Sequence, residues 1–120
     1  MTALNRDKRV LLVEDHDDSR LVFTYLLRDA GLDVDACCSV EDAIIAIAES
    51  TPDIALLDVR LPGRAGDDFG RELAERFPDT QIVFVTGEHD IDRLTRLVPT
   101  SRVLRKPVSG KELLQVLSSL

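Results

Sequence analysis

Residues 9–31 read RVLLVEDHDDSRLVFTYLLRDAG, and this stretch decides the fold. Arg9–Val13 (RVLLV) is a short continuous apolar run, the pattern of a strand covered on both faces. Two acids follow at once, Glu14 and Asp15. Asp18 and Ser19 can then cap a helix through RLVFTYLLRDA, which Gly31 is placed to end. Strand, acidic turn and helix make one βα unit.

The unit recurs downstream. Residues 32–38 (LDVDACC) predict a second strand, alternating at Leu32, Val34 and Ala36. Ser39 with Asp42 approximates a capping box, with the shorter acid in place of Glu. The helix after it carries Ala43, Ile44, Ile47 and Ala48 on one stripe and breaks at Thr51-Pro52. Ile54–Asp58 (IALLD) is the third strand, followed by a loop with Pro62, Gly63 and Gly66. A third helix over 67–77 ends at Pro78. Gln81–Thr86 (QIVFVT) is the strongest β-former in the chain. A short helix over 90–97 stops before Pro99. Arg102–Arg105 is a short fifth strand. Residues 109–120 form the last helix, apolar at Leu113, Leu114 and Leu117. Strands alternating with helices imply an α/β fold with a parallel sheet covered on both faces.

The chain has 120 residues, the size of one domain, spanning 1–120 with its core over about 8–120. It is 44% hydrophobic and 31% charged, too apolar for disorder. No apolar run approaches the roughly 20 residues that span a bilayer, and no signal-peptide stretch precedes the first strand. A soluble, cytoplasmic protein is expected. With 22 acidic against 15 basic residues the net charge is −7. That argues against direct nucleic-acid binding, which needs a basic surface. Cys37 and Cys38 are adjacent and make no disulfide framework; they read as two buried or half-buried thiols. His16 and His89 have no second ligand at metal spacing and read as surface residues.

In parallel sheets, ligands bind outside the carboxyl ends of the strands. Strand one ends in Glu14-Asp15, strand three in Asp58, strand four in Thr86 and strand five at Lys106. Taken singly, each is a cap, a turn residue or a surface lysine. Taken together, they put three carboxylates, a hydroxyl and an ammonium on one small crater. Three clustered carboxylates repel one another without a cation. Oxygen donors alone suit a hard ion, and Mg2+ is the usual one when few carboxylates contribute. A lysine and a hydroxyl opposite the metal suit phosphoryl oxygens. An aspartate can itself attack phosphorus and become an aspartyl phosphate.

Four pieces now stand in order: VLLVEDHDDSR (10–20), LLDVRLPGRAG (56–66), VFVTG (83–87) and LRKP (104–107). Together they resemble a two-component response regulator receiver domain over nearly the whole chain. The resemblance implies a (βα)5 doubly wound parallel five-stranded sheet with flavodoxin-like strand order 2-1-3-4-5. It implies Asp58 as phosphoacceptor, Thr86 as switch hydroxyl and Lys106 as ion-pair partner of the phosphate. It implies Mg2+ bound by Asp15, by Asp58, by the backbone carbonyl of Arg60, and by Glu14 mostly through water. It also implies a cis Lys106–Pro107 peptide. The implied partners are a sensor histidine kinase or histidine phosphotransfer protein and an output partner. The implied switching face is the fourth helix, fifth strand and fifth helix, a face that also admits a homodimer.

Such a domain catalyses its own phosphorylation and dephosphorylation and is not a turnover enzyme. A phosphatase of the aspartate-nucleophile kind wants a second acid two residues on, where this chain has Arg60. An FMN binder wants a hydroxyl- and Gly-rich loop after strand one, where this chain has EDHDDS. The remaining alternative is a degenerate receiver that acts as a phosphorylation-independent interaction module. The domain could stand alone or belong to a hybrid kinase or longer regulator; no effector lies within these residues.

Three departures matter. Val103 stands where the family usually carries an aromatic, so switching is expected to rest on Thr86 and loop motion. Gly87 follows Thr86, where a small residue keeps the crater open. Arg60 and Glu88 are expected to pair across the crater mouth and hinder attacking water. Kinase specificity is expected on the first helix near Arg20, Leu21 and Thr24.

Overall fold

The computed structural model describes residues 8–89 and 91–120. Ten elements alternate along it: β1 (Arg9–Val13), α1 (Asp17–Asp29), β2 (Asp33–Cys37), α2 (Val40–Glu49), β3 (Ile54–Asp58), α3 (Gly66–Arg76), β4 (Gln81–Thr86), α4 (Ile91–Leu97), β5 (Arg102–Arg105) and α5 (Gly110–Ser118). The strands form one parallel sheet in the order β2-β1-β3-β4-β5. Strand order reverses at β1, so β1 and β3 flank the switch point. Position 90, the expected start of the fourth helix, lies outside the described residues.

Strand alternation sorts the core into two halves. Val10, Leu12, Ile54, Leu56, Val83, Val85 and Leu104 point to one face, under Leu27 of α1 and Leu113 and Leu117 of α5. Leu11, Val13, Ala55, Leu57, Ile82 and Phe84 point to the other, under α2, α3 and α4. Each fully buried Leu, Ile or Phe contributes about 1.5–3 kcal/mol. β3 is buried along its whole length because it lies mid-sheet with helices on both sides.

β2 departs from the expected pattern because it is an edge strand. Leu32 and Val34 are buried, but Ala36 is exposed. Cys37 is buried, whereas Cys38 lies past the strand end, is exposed, and donates its S–H to Asp42 at 3.1 Å. The two expected buried thiols are therefore one.

The helix starts hold two further corrections. α1 begins at Asp17, with His16 at the N-cap and no side-chain cap. Asp18 and Ser19, expected to cap it, fall inside the first turn, where Asp17 and Asp18 favour the helix dipole. Gly31 ends the helix at φ 91°, in the left-handed region that favours glycine. In α2, Ser39 caps as expected, its Oγ accepting from the Asp42 N–H at 3.2 Å. The stripe is rotated from the expected one: Val40 and Ala43 are buried and Ala46 and Ile47 half-buried, while Ile44 and Ala48 are exposed. In α5, Ser109 caps Glu112 N–H at 3.1 Å, and Leu113 and Leu117 face the sheet. Val103 is half-buried and completes the core under α4. Among the described residues, no helix is long and apolar enough to cross a membrane.

Candidate functional site

Sheet register builds the site. Val13 pairs with Leu57, so Glu14, one residue on, comes level with Asp58. Asp58 pairs with Val85, so Thr86 stands one step beyond. Thr86 pairs with Arg105, so Lys106 stands one step beyond again. The five residues expected to converge do so.

Asp58 is the centre and is only 4% exposed. Its Oδ2 lies 3.0 Å from Lys106 Nζ, and its Oδ1 accepts the Arg60 N–H at 3.1 Å. Lys106 Nζ is also 3.9 Å from Glu14 Oε1. The Lys106–Pro107 peptide is cis, as the resemblance implied. Lys106 is anchored by its own N–H, which donates to the Thr86 carbonyl at 2.8 Å.

Glu14, Asp15 and Asp58 each offer a carboxylate oxygen, all within 4.8 Å of one another. Glu14 is 2% exposed. Burial, followed by its hydrogen bond to Asp58 and the repulsion of that carboxylate, pushes its carboxyl up to about 8. Glu14 Oε1 and Asp15 Oδ1 are buried with no hydrogen-bond partner among the described residues. Buried carboxylate oxygens without donors are costly in a folded protein. An all-oxygen set with two orphaned members fits a hard divalent cation.

Two supports were not legible beforehand. Arg20 Nη1 donates to the Glu14 carbonyl at 3.0 Å, and Nη2 to Asp17 Oδ1 at 2.6 Å, so α1 holds the acidic turn in place. Gly66 packs on the backbone of Asp58, and its N–H donates to the Val59 carbonyl at 3.0 Å. Neither residue type betrays such a role, because each acts on main-chain atoms several residues earlier, which side-chain patterning does not register.

The expected Arg60–Glu88 pair is replaced by another. Glu88 is gripped by Arg93, whose Nη2 lies 3.1 Å from both its oxygens. Arg93 lies in the first turn of α4, right after the loop that carries Glu88, so its forked guanidinium reaches that carboxylate directly. The Arg60 side chain is exposed and leaves its backbone N–H to Asp58. Gly87 is exposed, and a Cβ there would meet nothing within 4 Å, so space alone does not demand glycine. Thr86 is buried and its Oγ1 accepts the Glu88 N–H at 3.0 Å. His16 and His89 are exposed as expected, and His89 Nδ1 lies 2.6 Å from Arg105 Nη2.

This architecture has known counterparts. Chemotaxis protein CheY4 of Vibrio cholerae superposes with a TM-score of 0.86 at 24% identity, over 94% of this chain and 98% of that one. The signal receiver domain of an HD domain-containing protein from Pseudomonas fluorescens Pf-5 gives 0.85 at 21% identity, over 94% and 93%. Nodulation protein W of Bradyrhizobium diazoefficiens is 36% identical over 107 residues, 88% of this chain. The chain spans about half of that relative's length, 47%. The family model for the response regulator receiver domain matches residues 10–118, which takes in every strand end of the crater. With sheet order, crater and sequence in agreement, the chain belongs to the response regulator receiver domain family.

Proposed function

We propose that Asp58 accepts a phosphoryl group from the phosphohistidine of a sensor histidine kinase or histidine phosphotransfer protein. The observation that carries this reading is the setting of Asp58. It is a buried carboxylate 3.0 Å from Lys106, beside two acids with orphaned oxygens. A carboxylate oxygen of Asp58 attacks phosphorus. The P–N bond of the donor breaks, and its electron pair returns to the imidazole nitrogen, which then takes a proton.

Lys106 holds one equatorial oxygen of the transferring group by charge, and the Thr86 hydroxyl donates to another. Glu14, Asp15, Asp58 and the Arg60 carbonyl would hold Mg2+, which neutralises charge on the phosphoryl oxygens. Beside the crater, a cavity of about 670 Å³ opens between α1 and Lys106–Pro107. It is lined by His16, Val22, Phe23 and Val108, among others, and gives the donor an approach. The phosphoryl group adds charge and acceptor oxygens, and the α4–β5–α5 face repacks toward an output partner. Arg60, two residues past Asp58, is no general acid, which supports a phosphoacceptor over a turnover phosphatase. The cytoplasmic location belongs to the same reading.

The test is intact mass after incubation with a small-molecule phosphodonor and Mg2+. Wild type gains one phosphoryl group, Asp58→Asn gains none, and a chelator abolishes the gain. A folded wild type that gains nothing overturns the reading.

A further inference from the structure

Arg93 ties three elements together with one guanidinium. Its Nη1 donates to Asp67 Oδ2 at 2.8 Å, in the first turn of α3. Its Nη2 takes both oxygens of Glu88 at 3.1 Å, and its Nε lies 3.3 Å from Oε2. The two acids are well covered, 14% and 20% exposed. Exposed pairs contribute little, but a forked guanidinium on two covered carboxylates has the geometry that matters.

Glu88 is held at both ends. Its side chain sits in the fork of Arg93, and its backbone N–H donates to Thr86 Oγ1 at 3.0 Å. Thr86 is 1% exposed, so its hydroxyl has few partners to choose from. A hydroxyl can accept this N–H and still donate its own proton, so the contact is tested only where loading draws the Thr86 oxygen toward Asp58. That oxygen then leaves the Glu88 amide or draws Glu88 with it. Drawing Glu88 along pulls its carboxylate out of the fork.

We propose that Arg93 is a positioning residue: by gripping Glu88 and Asp67 it keeps the Thr86 hydroxyl in its unloaded arrangement. It thereby opposes loading of the crater. The inference rests on the phosphoacceptor reading for its consequence, not for the latch itself. A ligand shifts a two-state equilibrium only by its differential affinity, so releasing the latch makes the loaded state easier to reach.

The experiment has two arms, with wild type, Arg93→Gln and Glu88→Gln. In the ligand-free protein, amide hydrogen exchange at Glu88 speeds up about tenfold in both variants, a loss of roughly one stable hydrogen bond. With Mg2+ present, affinity for beryllofluoride, a non-covalent phosphoryl mimic, tightens about fivefold in each, the low end for coupled sites. The double variant gains no more than either single one, because both cut the same contact. Unchanged exchange at Glu88 overturns the latch. Faster exchange with unchanged or weaker beryllofluoride affinity overturns its coupling to the crater. A wild type that binds no beryllofluoride sinks the phosphoacceptor reading, and the exchange arm then decides the latch by itself.

Discussion

Gly66 lies so close to Asp58 that a Cβ on it would stand 1.8 Å from the Asp58 carbonyl oxygen. The first turn of α3 is thus seated directly on the end of β3, and the seat fixes where the Asp58 backbone ends up. Gly66→Ala forces that backbone to shift. We expect a loss of about 1–3 kcal/mol in a urea melt, the range for overpacking a tight site. Gly87→Ala, with open space around it, serves as control and stays within about 0.5 kcal/mol. Equal losses from the two would show that the close approach is not a constraint.

Metal-free stability falls as pH rises from about 4.5 to about 8. The sign follows from Glu14, which keeps its proton to about 8 when folded and releases it near 4.5 when unfolded. Between those values the folded state binds more protons, so alkali favours unfolding. Glu14→Gln carries the shape of the protonated acid and removes this slope. Chemical melts in a chelator across the range check both; a slope that survives the substitution assigns it to another group.

The two neighbouring thiols react differently. Cys37 is buried, and desolvation pushes its thiol up to about 11. Cys38 is exposed, and its thiol is raised chiefly by the hydrogen bond to Asp42. The thiolate is the nucleophile, so both are slow, but only Cys38 is reachable. Iodoacetamide labels Cys38 alone in the folded protein, and Asp42→Asn, which removes the carboxylate acceptor, speeds that labelling. Peptide mapping reads both results, and equal labelling of Cys37 would contradict the packing of β2.

The chemistry of the crater was readable because strand ends are readable. Apolar runs such as Ile54–Asp58 and Gln81–Thr86 stop at a polar residue, and parallel topology gathers those stops at one sheet edge. What stayed hidden depends on relations that periodicity does not encode. Edge position left Ala36 uncovered, although alternation alone buries it. One residue of helix phase moved Ile44 and Ala48 to solvent. Arg60 was the expected partner of Glu88, and the fold of the loop into α4 hands that carboxylate to Arg93 instead. Arg20 and Gly66 act on main-chain atoms, for which sequence carries no signal.

A divalent cation held by the crater, as proposed above, would compete with Lys106 for the same carboxylates. The Lys106 ammonium lies 3.0 Å from Asp58 and 3.9 Å from Glu14. Lys106→Met keeps the side-chain length and removes the charge. The carboxylates then lose their internal counter-charge. Breaking a fully buried pair costs about 3–5 kcal/mol. Lys106 is 35% exposed, so screening reduces this to about 1–2 kcal/mol of metal-free stability. The same loss removes a positive neighbour from the metal site, so Mg2+ binds several-fold more tightly, while phosphoryl transfer slows for want of the oxygen clamp. Titration calorimetry with Mg2+, paired with melts in chelator, checks the two opposite signs. Weaker Mg2+ binding by the variant would mean that Lys106 organises the carboxylates instead of competing for them.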